Sequence, residues 1–296
     1  MEFRNLQTFL CVANLQSFSK AAKKLGYSQS NISFQIQQLE KELGVQLFDR
    51  SGKRIKITEP GQEFLFYANE IQKLSLQALT VAKKNINHDS QTLEGFLRIG
   101  SIESIATSIL PDLLARFHKV YPKITITIIT KNRENLIEMV KNNQIDFFFD
   151  FNDKIEISNL CHKILSKEEV VFLSSKSREK LSLEHITKEK FVLTEQGEGY
   201  RKKLEYLLLE KGIRIYPAIE FGDPAQIIQL IEKNIGISFL PLFCAIEKIQ
   251  EKKLFIIESD LPKIYMYTQL YYHKNKWITP QMNAILNHIY SYFNAL

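Results

Sequence analysis

Between Ser28 and Leu43 one run of residues carries hydrogen-bonding chemistry on a single helical face. Ile32, Ile36, Leu39 and Leu43 recur at spacings of four, three and four, the period of one buried helix face. The remaining positions, Gln29, Ser30, Asn31, Ser33, Phe34, Gln35, Gln37 and Gln38, predict an exposed face of amides and hydroxyls. A solvated helix face ordinarily carries Glu and Lys. Gln and Asn instead form paired hydrogen bonds to adenine, and Ser bonds to several bases, so this face suits reading base edges in a major groove. The alternative is a solvated helix in a small bundle.

The flanking residues position that face. Ser19 to Leu25 predicts a short helix with Ala21, Ala22 and Leu25 as its apolar stripe. Gly26 can take the left-handed conformation that ends it, and Ser28 is a good N-cap for the next helix. Two short helices and a tight turn form a helix-turn-helix. Leu47 to Thr58 follows as a β-hairpin with a Gly turn and alternating Lys and Arg, a wing able to lay cations along phosphates. Residues 1 to 60 hold nine Lys/Arg and five Asp/Glu, a net of +4, while the whole chain is +6. The basic excess thus lies where the helix-turn-helix lies, as expected for a nucleic-acid partner.

At 296 residues and 45% apolar content the chain has enough core for two or three domains. Cys11, Cys161 and Cys244 are far apart and form no CxxC or Cys/His cluster, so neither a disulfide framework nor a zinc site is expected. The six histidines are dispersed, and no metal or cofactor is expected. There is no Gly-x-Ser-x-Gly elbow, Walker loop or His-Glu-x-x-His, and Gly197-x-Gly199 lacks the third glycine of a dinucleotide fingerprint. An enzyme is therefore not expected. No apolar run approaches membrane-spanning length and the start of the chain reads as an amphipathic helix, so a cytoplasmic protein without a membrane partner is expected.

From Thr58 to about Asn87 the pattern predicts one long helix, with Pro60 in its first turn. Phe64, Tyr67, Ile71, Leu74, Ala78 and Val81 form a heptad-like seam, most simply covered by the same helix of a second subunit, or else docked on the chain's own C-terminal part. His88 to Thr92 reads as a hinge. Beyond it strands at 96–102, 124–129, 145–151, 170–174, 191–194 and 217–221 alternate with helices at 104–121, 133–142, 200–211, 224–233 and 280–293. That alternation predicts a mainly parallel sheet with helices on both faces, more naturally two lobes than one. A last strand at 265–272 and the final helix return to the first lobe.

This order, with strings such as Ser17-Phe18-Ser19-Lys20-Ala21-Ala22, Ser28-Gln29-Ser30-Asn31-Ile32-Ser33, Leu47-Phe48-Asp49-Arg50 and Gly236-Ile237-Ser238-Phe239-Leu240-Pro241, resembles the LysR-type transcriptional regulators over essentially the whole chain. The resemblance implies an α/β chain: a winged helix-turn-helix at 1–58, a linker and dimerisation helix at 59–88, and a two-lobed effector domain at 89–296, similar to type 2 periplasmic binding proteins. Lobe I would span about 93–161 plus 269–296, and lobe II about 162–268. The candidate DNA contacts are Ser28, Gln29, Ser30, Asn31, Ser33, Phe34 and Gln35, with Arg50, Lys53 and Arg54 on the wing. Position 34 commonly carries Arg or His in the family; Phe34 can instead meet a thymine methyl but cannot donate to guanine.

The resemblance also implies promoter DNA as partner, an inducer between the lobes, dimers pairing into tetramers, and contact with RNA polymerase. It places the effector lining at strand-to-helix loops, here Ser101, Glu103, Ser104, Thr130 and Asn132 from one lobe and Gly199, Tyr200 and Asp223 from the other. Many relatives are thought to bind small carboxylates. If Glu103 and Asp223 face the cleft rather than capping helices, a neutral, zwitterionic or cationic effector fits better, with Lys131 or Arg201 free to take one carboxylate. Two rivals remain. An exported solute-binding protein lacks the DNA-binding head, and a DNA-organising protein without an effector would need no ligand cleft.

Overall fold

The computed structural model describes residues 1–49, 55–82, 93–178 and 180–295. The chain divides into an N-terminal and a C-terminal unit. Arg50, Lys53, Arg54 and the expected hinge at 88–92 lie outside the described residues.

The N-terminal unit comprises α1 (Phe3–Leu15), α2 (Phe18–Leu25), α3 (Gln29–Leu43), the short strands β1 (Phe48–Asp49) and β2 (Lys56–Ile57), and α4 (Glu59–Ala82). Its helix ends follow local chemistry. The Ser17 hydroxyl accepts from the Lys20 N–H, Gly26 closes α2 at φ 72°, and Ser28 caps α3 by accepting from the Asn31 N–H. Leu6, Phe9, Val12, Ala21, Ile32, Ile36, Leu39 and Leu47 have no exposed surface and form the core. Leu43, expected on the buried face of α3, is instead 37% exposed, because it sits in the last turn beyond the core. The Glu40 carboxylate accepts from the backbone N–H groups of Leu47 and Phe48, fixing the wing to α3. Thr58 caps α4 by accepting from the Gly61 N–H. A Cβ on Gly61 would lie 2.3 Å from the Leu47 carbonyl, so that close approach requires glycine.

Along α4 the expected seam divides. Phe64 and Ile71 pack on the winged-helix core, whereas Tyr67, Leu74 and Ala78 are exposed. Tyr67 and Leu74 are 52% and 48% exposed, and Leu76 beside them is 59% exposed.

The C-terminal unit runs β3 (Gly95–Ser101), α5 (Glu103–Ser108), α6 (Leu110–Val120), β4 (Ile124–Thr130), α7 (Arg133–Lys141), β5 (Phe147–Asn152), β6 (Leu160–Ser174), β7 (Phe191–Thr194), α8 (Gly199–Leu209), β8 (Pro217–Phe221), α9 (Pro224–Glu232), β9 (Ser238–Pro241), α10 (Ile246–Gln250), β10 (Phe255–Ile257), β11 (Ile264–His273) and α11 (Pro280–Asn294). The single helix expected at 104–121 is broken at Ile109, and Pro111 sits in the first turn of the second piece, where a missing N–H does no harm.

The sheet is mixed rather than mainly parallel. β4, β3 and β5 are parallel neighbours, as are β7 and β8, but β11 pairs antiparallel with both β5 and β6. The 15-residue β6 is the reason. Its first half pairs with residues 269–273 of β11; beyond a register shift between Thr268 and Gln269 its second half continues along β11 and takes β9 and β10 as partners. β6 and β11 therefore run through both halves of the unit. The lobe limits expected at 161/162 and 268/269 fall within these strands, the second at the register shift.

Candidate nucleic-acid interface and effector cleft

On α3 the structure exposes Ser28, Gln29, Ser30, Asn31, Phe34, Gln37 and Gln38, leaves Ser33 half-buried, and buries Gln35. Phe34 is 65% exposed, a large aromatic ring standing among neutral polar side chains. Gln35 is turned inward: its Oε1 accepts from the Thr8 hydroxyl at 2.5 Å and its Nε2 donates to Asn31 Oδ1 at 3.0 Å. With its carbonyl engaged by Gln35, Asn31 keeps its NH₂ donors for an outside acceptor. Gln29 Oε1 accepts from the Ser19 hydroxyl at 2.8 Å, which ties the start of α3 to α2. Thr8 and Ser19 carry no base-reading signal of their own, and sequence reading passed over them. Only their tertiary partners mark them as supports.

In the C-terminal unit a cavity of about 750 Å³ opens between the β5 and α7 ends of one half and the loop entering α8 in the other. Of the eight residues expected to line an effector site, Asn132 and Gly199 do so. Asn132 Oδ1 also accepts from the Asn135 N–H as α7 begins. The others lie off this cavity. Ser101 is buried and donates to the Ile102 carbonyl. Ser104 is buried and Thr130 ends β4. Tyr200 is 1% exposed, and burial pushes its hydroxyl well above its ordinary value. Asp223 caps α9, accepting from the Ala225 N–H at 2.9 Å. Burial, and Asp223 nearby, raise the Glu103 carboxyl. Arg201 is 5% exposed and donates to Glu205, Glu220 and the Thr194 carbonyl, so its guanidinium is already occupied.

The cavity takes its character from residues that sequence reading missed. Glu134, Asp150, Asp153, Glu195 and Glu198 line it, against Arg133, Lys202 and Lys203. Lys203 pairs with Asp153 at 2.5 Å, and Arg133 Nε lies 2.8 Å from Asp150 Oδ2. Burial pushes the Asp150 carboxyl up to about 6 in spite of Arg133. Glu198, the residue before α8, caps nothing with its side chain. Burial, and then Asp150, Glu134 and Glu195, push its carboxyl up to about 7. No helix of the described residues is long and apolar enough to cross a membrane.

Residues 3–62 match the family model for the bacterial regulatory helix-turn-helix protein, lysR family, and residues 90–294 match the LysR substrate binding domain. The HTH-type transcriptional regulator GltR of Bacillus subtilis is 32% identical over 99% of this chain and 97% of its own length. The regulator YofA of Bacillus velezensis is 32% identical over 97% of each. Among solved structures, a full-length OxyR variant from Pseudomonas aeruginosa superposes with a TM-score of 0.67 at 19% identity, covering 98% of this chain and 94% of that one. CbnR, a LysR family transcriptional regulator, superposes with a TM-score of 0.59 at 20% identity over 98% of both chains. Winged head, long helix and two-part α/β domain thus agree with the family matches along the chain: it belongs to the LysR family, as a DNA-binding transcriptional regulator with an effector-binding domain.

Proposed function

We propose that α3 enters the major groove and that Gln29, Ser30, Asn31, Ser33 and Phe34 discriminate bases there, with Ser28 setting the helix start and Gln35 orienting Asn31 from inside. Arg50, Lys53 and Arg54 anchor the wing on phosphates. What carries this reading is the exposed neutral polar face of α3, supported from behind by α1 and α2. Full-length CbnR has been solved in complex with its target DNA, and that complex supports the same role for this head.

The exposed stripe of Tyr67, Leu74 and Ala78 on α4 is the face we assign to a second copy of the chain. A dimer presents two heads related by symmetry, so its half-sites are roughly palindromic and spaced by whole helical turns. Tetramer formation, RNA polymerase contact and a cytoplasmic site of action belong to the same proposal. The cavity holds the small-molecule effector, which shifts the regulator only as far as its affinity differs between the two states.

Gel shift and footprinting on DNA around the encoding gene, at two salt concentrations, test the proposal. Asn31→Ala and Gln29→Ala are expected to relax sequence preference, at about 1–3 kcal/mol per lost paired contact. Lys53→Ala and Arg54→Ala are expected to weaken binding to all sequences alike and flatten the salt slope. Identical behaviour of the two classes would refute the division into reading and anchoring residues.

A further inference from the structure

The chain as a whole is basic, at +6, yet the cavity between the two halves of the C-terminal unit is lined by five carboxylates against three cations. Two of those cations are held in ion pairs with Asp150 and Asp153. Among the described residues the Glu198 side chain makes no hydrogen bond or ion pair; Asp150, Glu134 and Glu195 repel it, against the weaker attraction of Lys202. Asp150 is 1% exposed and lines the cavity. Its buried Oδ2 is ion-paired with Arg133 Nε at 2.8 Å, but that contact lacks the alignment of a full hydrogen bond. A buried carboxylate only partly satisfied by its one cation, beside a second with no hydrogen bond of its own, is the complement of a further cationic donor. Among the described residues no three such groups come close enough together to chelate a metal ion, so the complement is an extended organic cation. The exposed ring of Tyr206 also lines the cavity and offers a face to an ammonium.

We propose that this cavity takes a small organic ammonium ligand, its positive group seated among Glu134, Asp150, Glu195 and Glu198. The proposal rests on the cavity being the effector site and goes further by fixing the charge of what enters it.

Thermal shift of the full-length protein at matched ionic strength tests it. The probes are 1,4-diaminobutane and L-lysine, against succinate, citrate and manganese chloride. Stabilisation by either amine of about 2 °C or more at millimolar concentration is expected, and is expected to be lost in Glu198→Gln. The diamine and amino acid arms separate a dication from a zwitterion. Glu134→Gln, at an exposed position, serves as a second variant, and retained DNA gel shift checks that each variant folds. Stabilisation by succinate or citrate alone, lost in Asn132→Ala, would overturn the ammonium ligand while leaving an effector cavity in place. Stabilisation by manganese alone, or an amine effect unchanged in both Gln variants, also overturns it. If no probe of either charge stabilises the protein, the ammonium ligand is overturned together with the effector reading of the cavity.

Discussion

Gln35 of α3 is bound to Thr8 of α1 by a buried hydrogen bond of 2.5 Å, and its other end donates to Asn31 on the exposed face. Gln35→Ala removes this support and leaves the Thr8 hydroxyl buried without its partner, a loss of about 1–3 kcal/mol that urea unfolding should show. It should also lower the ratio of specific to non-specific DNA binding by about tenfold, since Asn31 loses its fixed orientation. An unchanged ratio would show that Gln35 acts on stability alone.

Phe34 brings an apolar ring to the face assigned to DNA. The apolar object in a major groove is the thymine methyl. Replacing single thymines of the operator by deoxyuridine removes that methyl and nothing else. At one position of each half-site the change should weaken binding by about 0.8 kcal/mol, roughly fourfold, and Phe34→Ala should abolish the difference. If every thymine tolerates uridine equally with Phe34 present, the ring does not read methyl groups.

Lys276 Nζ and Asp146 Oδ1 lie 2.9 Å apart with both side chains buried. Asp146 Oδ2 also accepts from the Arg98 N–H, joining the start of β5 to β3. Lys276 thus ties the segment before α11 to β5 and β3, whereas Trp277 beside it is 67% exposed. Lys276→Met strands a buried carboxylate and should cost about 3–5 kcal/mol in chemical denaturation. Adding Asp146→Asn should recover part of that loss.

In Glu198 and Asp150 burial outweighs the nearby cations, Arg133 beside Asp150 included, which gives the C-terminal unit a pH dependence opposite to that of carboxylates lowered by their partners. Their folded values, about 7 and about 6, lie above the ordinary 4.5 and 3.8, so the folded state holds these protons more tightly. The contribution is full below the ordinary values and is lost as pH rises through about 6 and then 7. Thermal stability should therefore fall between mildly acidic and mildly alkaline buffer, and Glu198→Gln should flatten that fall. An equal slope in the variant would remove Glu198 as its source.

Tyr67 and Leu74 are exposed seven residues apart on α4. Glutamate at both positions should yield monomers in sedimentation or light scattering and weaken binding to the two-half-site operator far more than to a single half-site. A dimer of unchanged stability would place the interface elsewhere.

The N-terminal unit was legible from the sequence because its signals are local. Ser17, Gly26 and Ser28 set helix ends through contacts within a few residues, and Ile32, Ile36 and Leu39 mark their face by spacing alone. The stretch of β6 before Val170, with Lys163, Ser166, Lys167, Glu168 and Glu169, has no apolar alternation. It is a strand because β11, some hundred residues later, supplies its hydrogen bonds. Gln35 looked like its neighbours, and only the arrival of Thr8 from α1 turned it inward.

The cleft shows the same division. Asp150, at the end of β5, and Glu198, before α8, are nearly fifty positions apart, each unremarkable in its own segment. The sequence by itself determined the regulator's architecture and the polar face of α3, since periodicity and capping are written residue by residue. Which carboxylates share one cavity, and which expected lining residues are spent on capping and packing, was decided by chain crossings that bring distant side chains together. Repulsion and desolvation depend on distance in space, and that distance exists only once the chain has folded.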